Sequence, residues 1–195
     1  SAASDVYKRQ RIPLVLREPV GDQEAMLTAI EQTMGYLPNN LLIMAHWPEL
    51  LSAFSGLGGT ILHTGVIGAE LKQLMAMVAS TAHGCEYCQA HTSHAAHQHG
   101  ASQDKVTAVF EFESSPLFTD RERAALRLAW HGALQPNQVS DADFEALRRH
   151  FNDREIVELV SVISLFGFLN RWSDTMASEL EALPKEFAGS LELSA

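Results

Sequence analysis

The chain has 195 residues, of which 46% are hydrophobic and 19% charged, so it can bury a substantial core and falls outside the disordered class. Its formal net charge of −10 argues against a nucleic-acid binder, which would show a basic face. No run of about 18 uninterrupted apolar residues suggests a membrane-spanning helix, and no leader of charged–apolar–small design is evident.

The first ten residues, SAASDVYKRQ, share no periodicity with the chain from Arg11 onward and read as foreign to the fold, with a frayed terminus as the alternative. Pro13 and Pro19 flank an extended entry segment. Asp22 is placed to cap a helix running to Met34, ended by Gly35 and Pro38. A short apolar helix comes next, from Asn39 to His46, and Pro48 opens another to about Thr64. Gly56, Gly58 and Gly59 in that helix suggest close packing or a kink.

From Ile67 to His83, Leu71, Leu74, Met75, Val78 and Ala82 recur at spacings of three and four, which predicts a buried helix. Gly84 breaks it, and a second helix is expected from Cys85 to about His99, before Gly100. Further helices are expected from Ser102 to Phe112, from the Thr119–Glu122 capping box to Leu134, from Ser140 to His150, and from Asp153 to about Leu183. No useful length alternates in the strand period. The reading is one all-α domain over residues 11–184 with eight or nine helices, and an irregular tail over 185–195.

Both cysteines lie in Gly84-Cys85-Glu86-Tyr87-Cys88-Gln89-Ala90-His91. Positions i and i+3 of a helix are about 5–6 Å apart at Cβ, within reach of a disulfide. A helix N-terminus also favours thiolate, most for the more N-terminal Cys85. A C-x-x-C in a reducing cytoplasm, the expected location, reads as catalytic or metal-binding. Cys85, Cys88, His91 and His94 offer zinc-type ligands, but one straight helix turns His94 about half a turn away from Cys85 and cannot close a tetrahedron. No bound metal or other cofactor is therefore expected, the redox group being a Cys85–Cys88 disulfide. His91 is placed as base or proton relay. His94, His97 and His99 read as a solvated face, Glu111 to Glu113 as a solvated helix end, and Met75 and Met77 as core. Tyr87 either donates its hydroxyl to thiolate or substrate, or packs as an aromatic.

The stretch from Leu71 to Thr92, with its CxYCxxH core after an apolar helix, resembles the carboxymuconolactone decarboxylase/alkylhydroperoxidase D-like superfamily in its peroxidase-related branch. Gly35-Tyr-Leu-Pro-Asn, Phe118-Thr-Asp-Arg-Glu-Arg and Asn170-Arg171-Trp172 are weaker flanking cues, and together they span about residues 20 to 180. The resemblance implies a multi-helical fold assembled as a dimer, trimer or hexamer, and a thiol peroxidase-like or disulfide-reductase activity. It implies Cys88 as the thiol that attacks a hydroperoxide and Cys85 as the resolving thiol, with an external dithiol as reductant. The family's proton-relay glutamate falls at Gln73, so Glu70, one turn earlier, is the substitute candidate. The His between the family's cysteines is Tyr87 here, and its relay His stands at 91 rather than 92. Two other classes remain open: a redox sensor or disulfide-exchange protein without peroxidase turnover, and a Cys/His metal module.

Overall fold

The computed structural model describes residues 10–15 and 23–191. Among these it is all-α, with ten α-helices: α1 (Glu24–Met34), α2 (Asn39–Met44), α3 (Pro48–His63), α4 (Ala69–His83), α5 (Glu86–Gln98), α6 (Gln103–Thr107), α7 (Asp120–Ala133), α8 (Asp141–Arg148), α9 (Asp153–Met176) and α10 (Ala182–Ser190). The expected cap at Asp22 and nearly all of the foreign-looking N-terminal segment lie outside the described residues.

Local chemistry sets most boundaries. Thr119 with Glu122, Ser140 with Asp143 and Asn152 with Glu155 each form a reciprocal capping box, which satisfies donors that a helix start leaves free. Gly35 and Gly84 end α1 and α4 in the left-handed conformation, where a Cβ would be strained. Three expectations are corrected. The helix foreseen over 102–112 is the five-residue α6 followed by a 3-10 turn over Ala108–Glu111. The last long helix stops at Met176 rather than near Leu183, and part of the expected irregular tail is α10. Gly56, Gly58 and Gly59 sit in an unbroken α3, and among the described residues no atom lies within 4 Å of where a Cβ would point.

α4 is the centre of the domain. Every residue from Leu71 to Ser80 is buried, between α5, α7 and α9. α9 is long and apolar enough to cross a membrane by length and composition, but half of the relevant window is buried inside the fold. Its buried polar anchor is Glu158, which pairs with Lys72 of α4 at 2.7 Å and accepts the N–H groups of Val66 and Ile67. Lys72 also donates to the carbonyls of Ile61 and Thr64, so this one pair ties the α3–α4 connection to both long helices.

Candidate active site

The α4–α5 corner builds the site. Gly84 N–H donates to the Thr81 carbonyl and Cys85 N–H to the Ser80 carbonyl, which closes α4 and turns the chain back on itself. Cys85 becomes the N-cap of α5: its sulfur accepts the Cys88 N–H at 3.5 Å. Cys88 lies one turn in, its sulfur 3.8 Å from Ser173 Oγ on α9. Both cysteines are unbridged and almost fully buried, at 0% and 2% exposure.

The Cys85 thiol is pushed far above its usual range. The Cys88 side chain is the main cause, followed by burial, and the Asp174 carboxylate adds to it. At Cys85 a second sulfur, burial and a carboxylate therefore act against the thiolate that a helix N-terminus favours.

Neither ring nitrogen of His91 bonds a thiol. Its Nε2 bonds Glu181 Oε2 at 2.6 Å and its Nδ1 bonds Tyr36 Oη at 3.0 Å. Glu181 Oε1 accepts from Tyr87 Oη at 2.8 Å and from the Asn39 N–H at the start of α2. An ionised carboxylate only accepts, so with a neutral ring Nε2 carries the proton and Tyr36 donates to Nδ1. Burial pushes the Glu181 carboxyl up, but His91 and the Asn39 N–H outweigh it, and the group sits below the usual carboxylate range. Burial, then the charge of Glu181, push both tyrosine hydroxyls up.

Of the two alternatives for Tyr87, the geometry shows the aromatic packing and no bond from its hydroxyl to a thiol. It stacks on His91 at 4.3 Å and its hydroxyl is bonded, but to Glu181 rather than to a thiol. Gln73 is buried on α4. Glu70 stands at the far end of α4, about 20 Å along the axis from the corner at about 1.5 Å per residue, and is held by Lys105 at 2.8 Å. The structure therefore does not bring Glu70 to the cysteines. His94 is half-buried between Tyr36 and Phe187 of α10 rather than on a solvated face, whereas His97 and His99 are exposed.

Glu181, Tyr36, Ser173 and Asp174 were not singled out from sequence. Tyr36 lies within the Gly35-Tyr-Leu-Pro-Asn cue, and Ser173 and Asp174 directly follow Asn170-Arg171-Trp172. Nothing local marked Glu181. Two cavities are lined by residues next to the α4–α5 corner, and neither cysteine is among their lining residues. One, of about 520 Å³, is lined by Gly84, Glu86, Tyr87, Asp174, Glu179 and Lys185 among others. The other, of about 650 Å³, is lined by residues including His83, Asn170, Arg171 and Trp172.

A buried dithiol at a helical corner, beside a His–Glu pair, defines a helical enzyme fold with a C-x-x-C centre. The family model of the carboxymuconolactone decarboxylase family matches residues 48–130. The structure of the debrominase Bmp8 is 36% identical, with 92% of this chain and 96% of that chain covered and a TM-score of 0.86. A Cys→Ala variant of Bmp8 in complex with 2,3,4-tribromopyrrole is 34% identical over 95% of this chain and 99% of that one, with a TM-score of 0.89. A peroxidase-related protein from Ralstonia eutropha with an alkylhydroperoxidase AhpD core shares the fold, with a TM-score of 0.79 over 91% of this chain and 93% of that one at 22% identity. The protein YnjA of Escherichia coli is 36% identical over 92 residues, which are 47% of this chain and 50% of YnjA, so the match spans half the length of that relative. The chain belongs to the carboxymuconolactone decarboxylase/alkylhydroperoxidase D-like superfamily. This is a family of enzymes, with a decarboxylase in its name and a debrominase among the similar structures.

Proposed function

We propose that the chain is a dithiol oxidoreductase that reduces hydroperoxides at Cys85–Cys88 and is recycled by an external dithiol. The observation that carries this reading is the unbridged pair on one helical turn, with a carboxylate-held imidazole one turn beyond Cys88. Cys88 attacks the terminal oxygen of ROOH, the O–O bond breaks, and ROH leaves with a proton, giving a sulfenic acid. The Cys85 sulfur displaces the sulfenic hydroxyl as water and the disulfide forms. Cys85, which holds its proton tightly, suits the resolving role, and Asp174 faces it to take that proton. His91 and Tyr36, backed by Glu181, supply the proton for the departing alkoxide. A reducing dithiol then opens the disulfide by exchange.

A second reading is favoured by the near full-length similarity to Bmp8: reduction of a brominated heteroaromatic. There the C–Br bond is replaced by C–H, bromide leaves, and the same two thiols become a disulfide. Both reactions consume one dithiol per substrate. Purified protein given tert-butyl hydroperoxide or 2,3,4-tribromopyrrole under excess dithiol separates them: alcohol formation supports the first, bromide release the second, and neither product with both thiols still free overturns the redox reading. We also propose a contact with a second copy through the exposed apolar face formed by Leu57, Val157, Val160 and Phe168.

A further inference from the structure

The two cavities next to the α4–α5 corner differ in charge. The smaller one is lined by three carboxylates, Glu86, Asp174 and Glu179, against the single cation Lys185. The larger one has no carboxylate among its lining residues, which include Arg171. In a chain of net charge −10 that is a marked asymmetry. Among the described residues Arg171 forms no ion pair; its one bond, at 2.8 Å, goes to the Gly167 carbonyl of its own helix, which leaves guanidinium donors free. Phe168 and Trp172, stacked at 5.9 Å with an interplanar angle of 14°, both line this cavity and give it an aromatic side. Asn170 and His83 connect this cavity to the thiol corner: Asn170 is one turn before Ser173, whose hydroxyl is 3.8 Å from the Cys88 sulfur, and His83, two residues before Cys85, has its Nε2 4.0 Å from Asp174.

We infer that the cavity lined by His83, Phe168, Asn170, Arg171 and Trp172 is the organic-substrate site, and that it takes a planar aromatic with an acidified ring N–H or O–H, bound as the anion with its negative edge toward Arg171. The inference rests on the second reading above, in which the cysteine pair reduces a brominated heteroaromatic, and names the substrate class that this reading takes. An aromatic anion is excluded from the acidic cavity by like charge and is accepted here by aromatic side chains and an unpaired guanidinium. The tribromopyrrole held by the Bmp8 variant is of this class, since its bromines acidify the ring N–H. A small alkyl hydroperoxide fills little of about 650 Å³ and gains nothing from Arg171.

The test is calorimetric titration of the Cys85→Ser/Cys88→Ser double variant with 2,4,6-tribromophenol, ionised near neutral pH, and with its methyl ether. The double variant removes redox chemistry, so binding is read independently of turnover. The phenolate is expected to bind about tenfold or more tighter than the ether, as a charge-assisted hydrogen bond requires. Adding Arg171→Gln should remove that difference, and Trp172→Leu should weaken both ligands. Arg171 is exposed, so its substitution leaves folding intact and keeps the test valid if Trp172→Leu fails to fold. Absence of saturable phenolate binding, or an unchanged preference in Arg171→Gln, overturns the inference. Binding as expected in a protein whose native thiols reduce neither substrate would leave this site standing and remove the redox reading.

Discussion

His91 and Glu181 are 90 positions apart in the chain and 2.6 Å apart in space. The carboxylate comes from the short link between α9 and α10. The position on α4 where the resemblance places a relay glutamate holds Gln73, which is buried. Further contacts from the Tyr36 hydroxyl, the Asn39 N–H, the Tyr87 hydroxyl and the stacked Tyr87 ring fix the His91–Glu181 pair.

Glu181→Gln keeps the shape and removes the charge. Turnover should fall about a hundredfold, the range of a lost general acid–base partner, with the helical content unchanged by circular dichroism. Wild-type turnover would remove Glu181 from the mechanism. The same variant tests acid stability. The folded carboxyl sits below its unfolded value of about 4.3. Its contribution to stability is thus present above that value and is lost as pH falls through the folded one. Denaturant titrations in this acid window should show a steeper loss for the wild type than for Glu181→Gln.

The cysteines should be unequal. Cys85→Ser treated with one equivalent of tert-butyl hydroperoxide should stop at a sulfenic acid on Cys88, captured by a dimedone-type reagent and located by mass spectrometry. Cys88→Ser should yield none, and neither variant should turn over with dithiol. Capture on Cys85 in Cys88→Ser instead would reverse the two roles.

A raised Cys85 pKa has a sign that can be checked at alkaline pH. The folded state holds this proton more tightly than the unfolded chain, where the ordinary thiol value is about 8.5. The stabilisation is complete below that value and is lost as pH rises through the folded pKa. Between about pH 8.5 and 10 the wild type should lose stability faster than Cys85→Ser in urea titrations, and iodoacetamide should label Cys85 slowly at neutral pH. Rapid labelling of Cys85 at pH 7 would contradict the assignment.

Lys72 and Glu158 make a structural prediction away from the chemistry. Lys72→Met leaves Glu158 buried with only backbone donors and Arg154, and should cost about 3–5 kcal/mol, the range for breaking a buried pair. Gly65→Ala should also destabilise. Its φ is +92°, and the new Cβ would collide with both Glu158 carboxylate oxygens. Equilibrium urea unfolding reads both effects.

What was legible in the sequence was local. The Gly84–Cys85 corner, the Thr119–Glu122 box and the helix opened after Ser140 arise from residues within one turn of each other. The end of α9 was not legible. Residues 177–183 are rich in Ala, Glu and Leu and extend a helical pattern, yet Ala177 turns left-handed at φ 51°. The tertiary contacts explain why: Asn39 binds the Glu179 carbonyl and the Glu181 carboxylate, which requires this stretch to leave the helix. For the same reason His94 read as solvated, since its cover, Phe187, belongs to a helix that only tertiary packing brings to α5. Within the site, the redox pair and His91 were visible as a motif, whereas Glu181, Asp174 and Tyr36 depend on contacts between distant segments.

If the dithiol is the reductant, one electrophile is reduced for each Cys85–Cys88 disulfide formed. Intact-mass analysis of the fully reduced protein during stepwise addition of tert-butyl hydroperoxide, with thiols counted in parallel, reads that stoichiometry. The expected result is loss of two hydrogens and both thiols per equivalent of peroxide, a peptide map that joins Cys85 to Cys88, and full recovery on adding dithiol through repeated cycles. Two thiols unchanged at excess peroxide, or oxidation that stops at an irreversible acid with no Cys85–Cys88 bond, would contradict it.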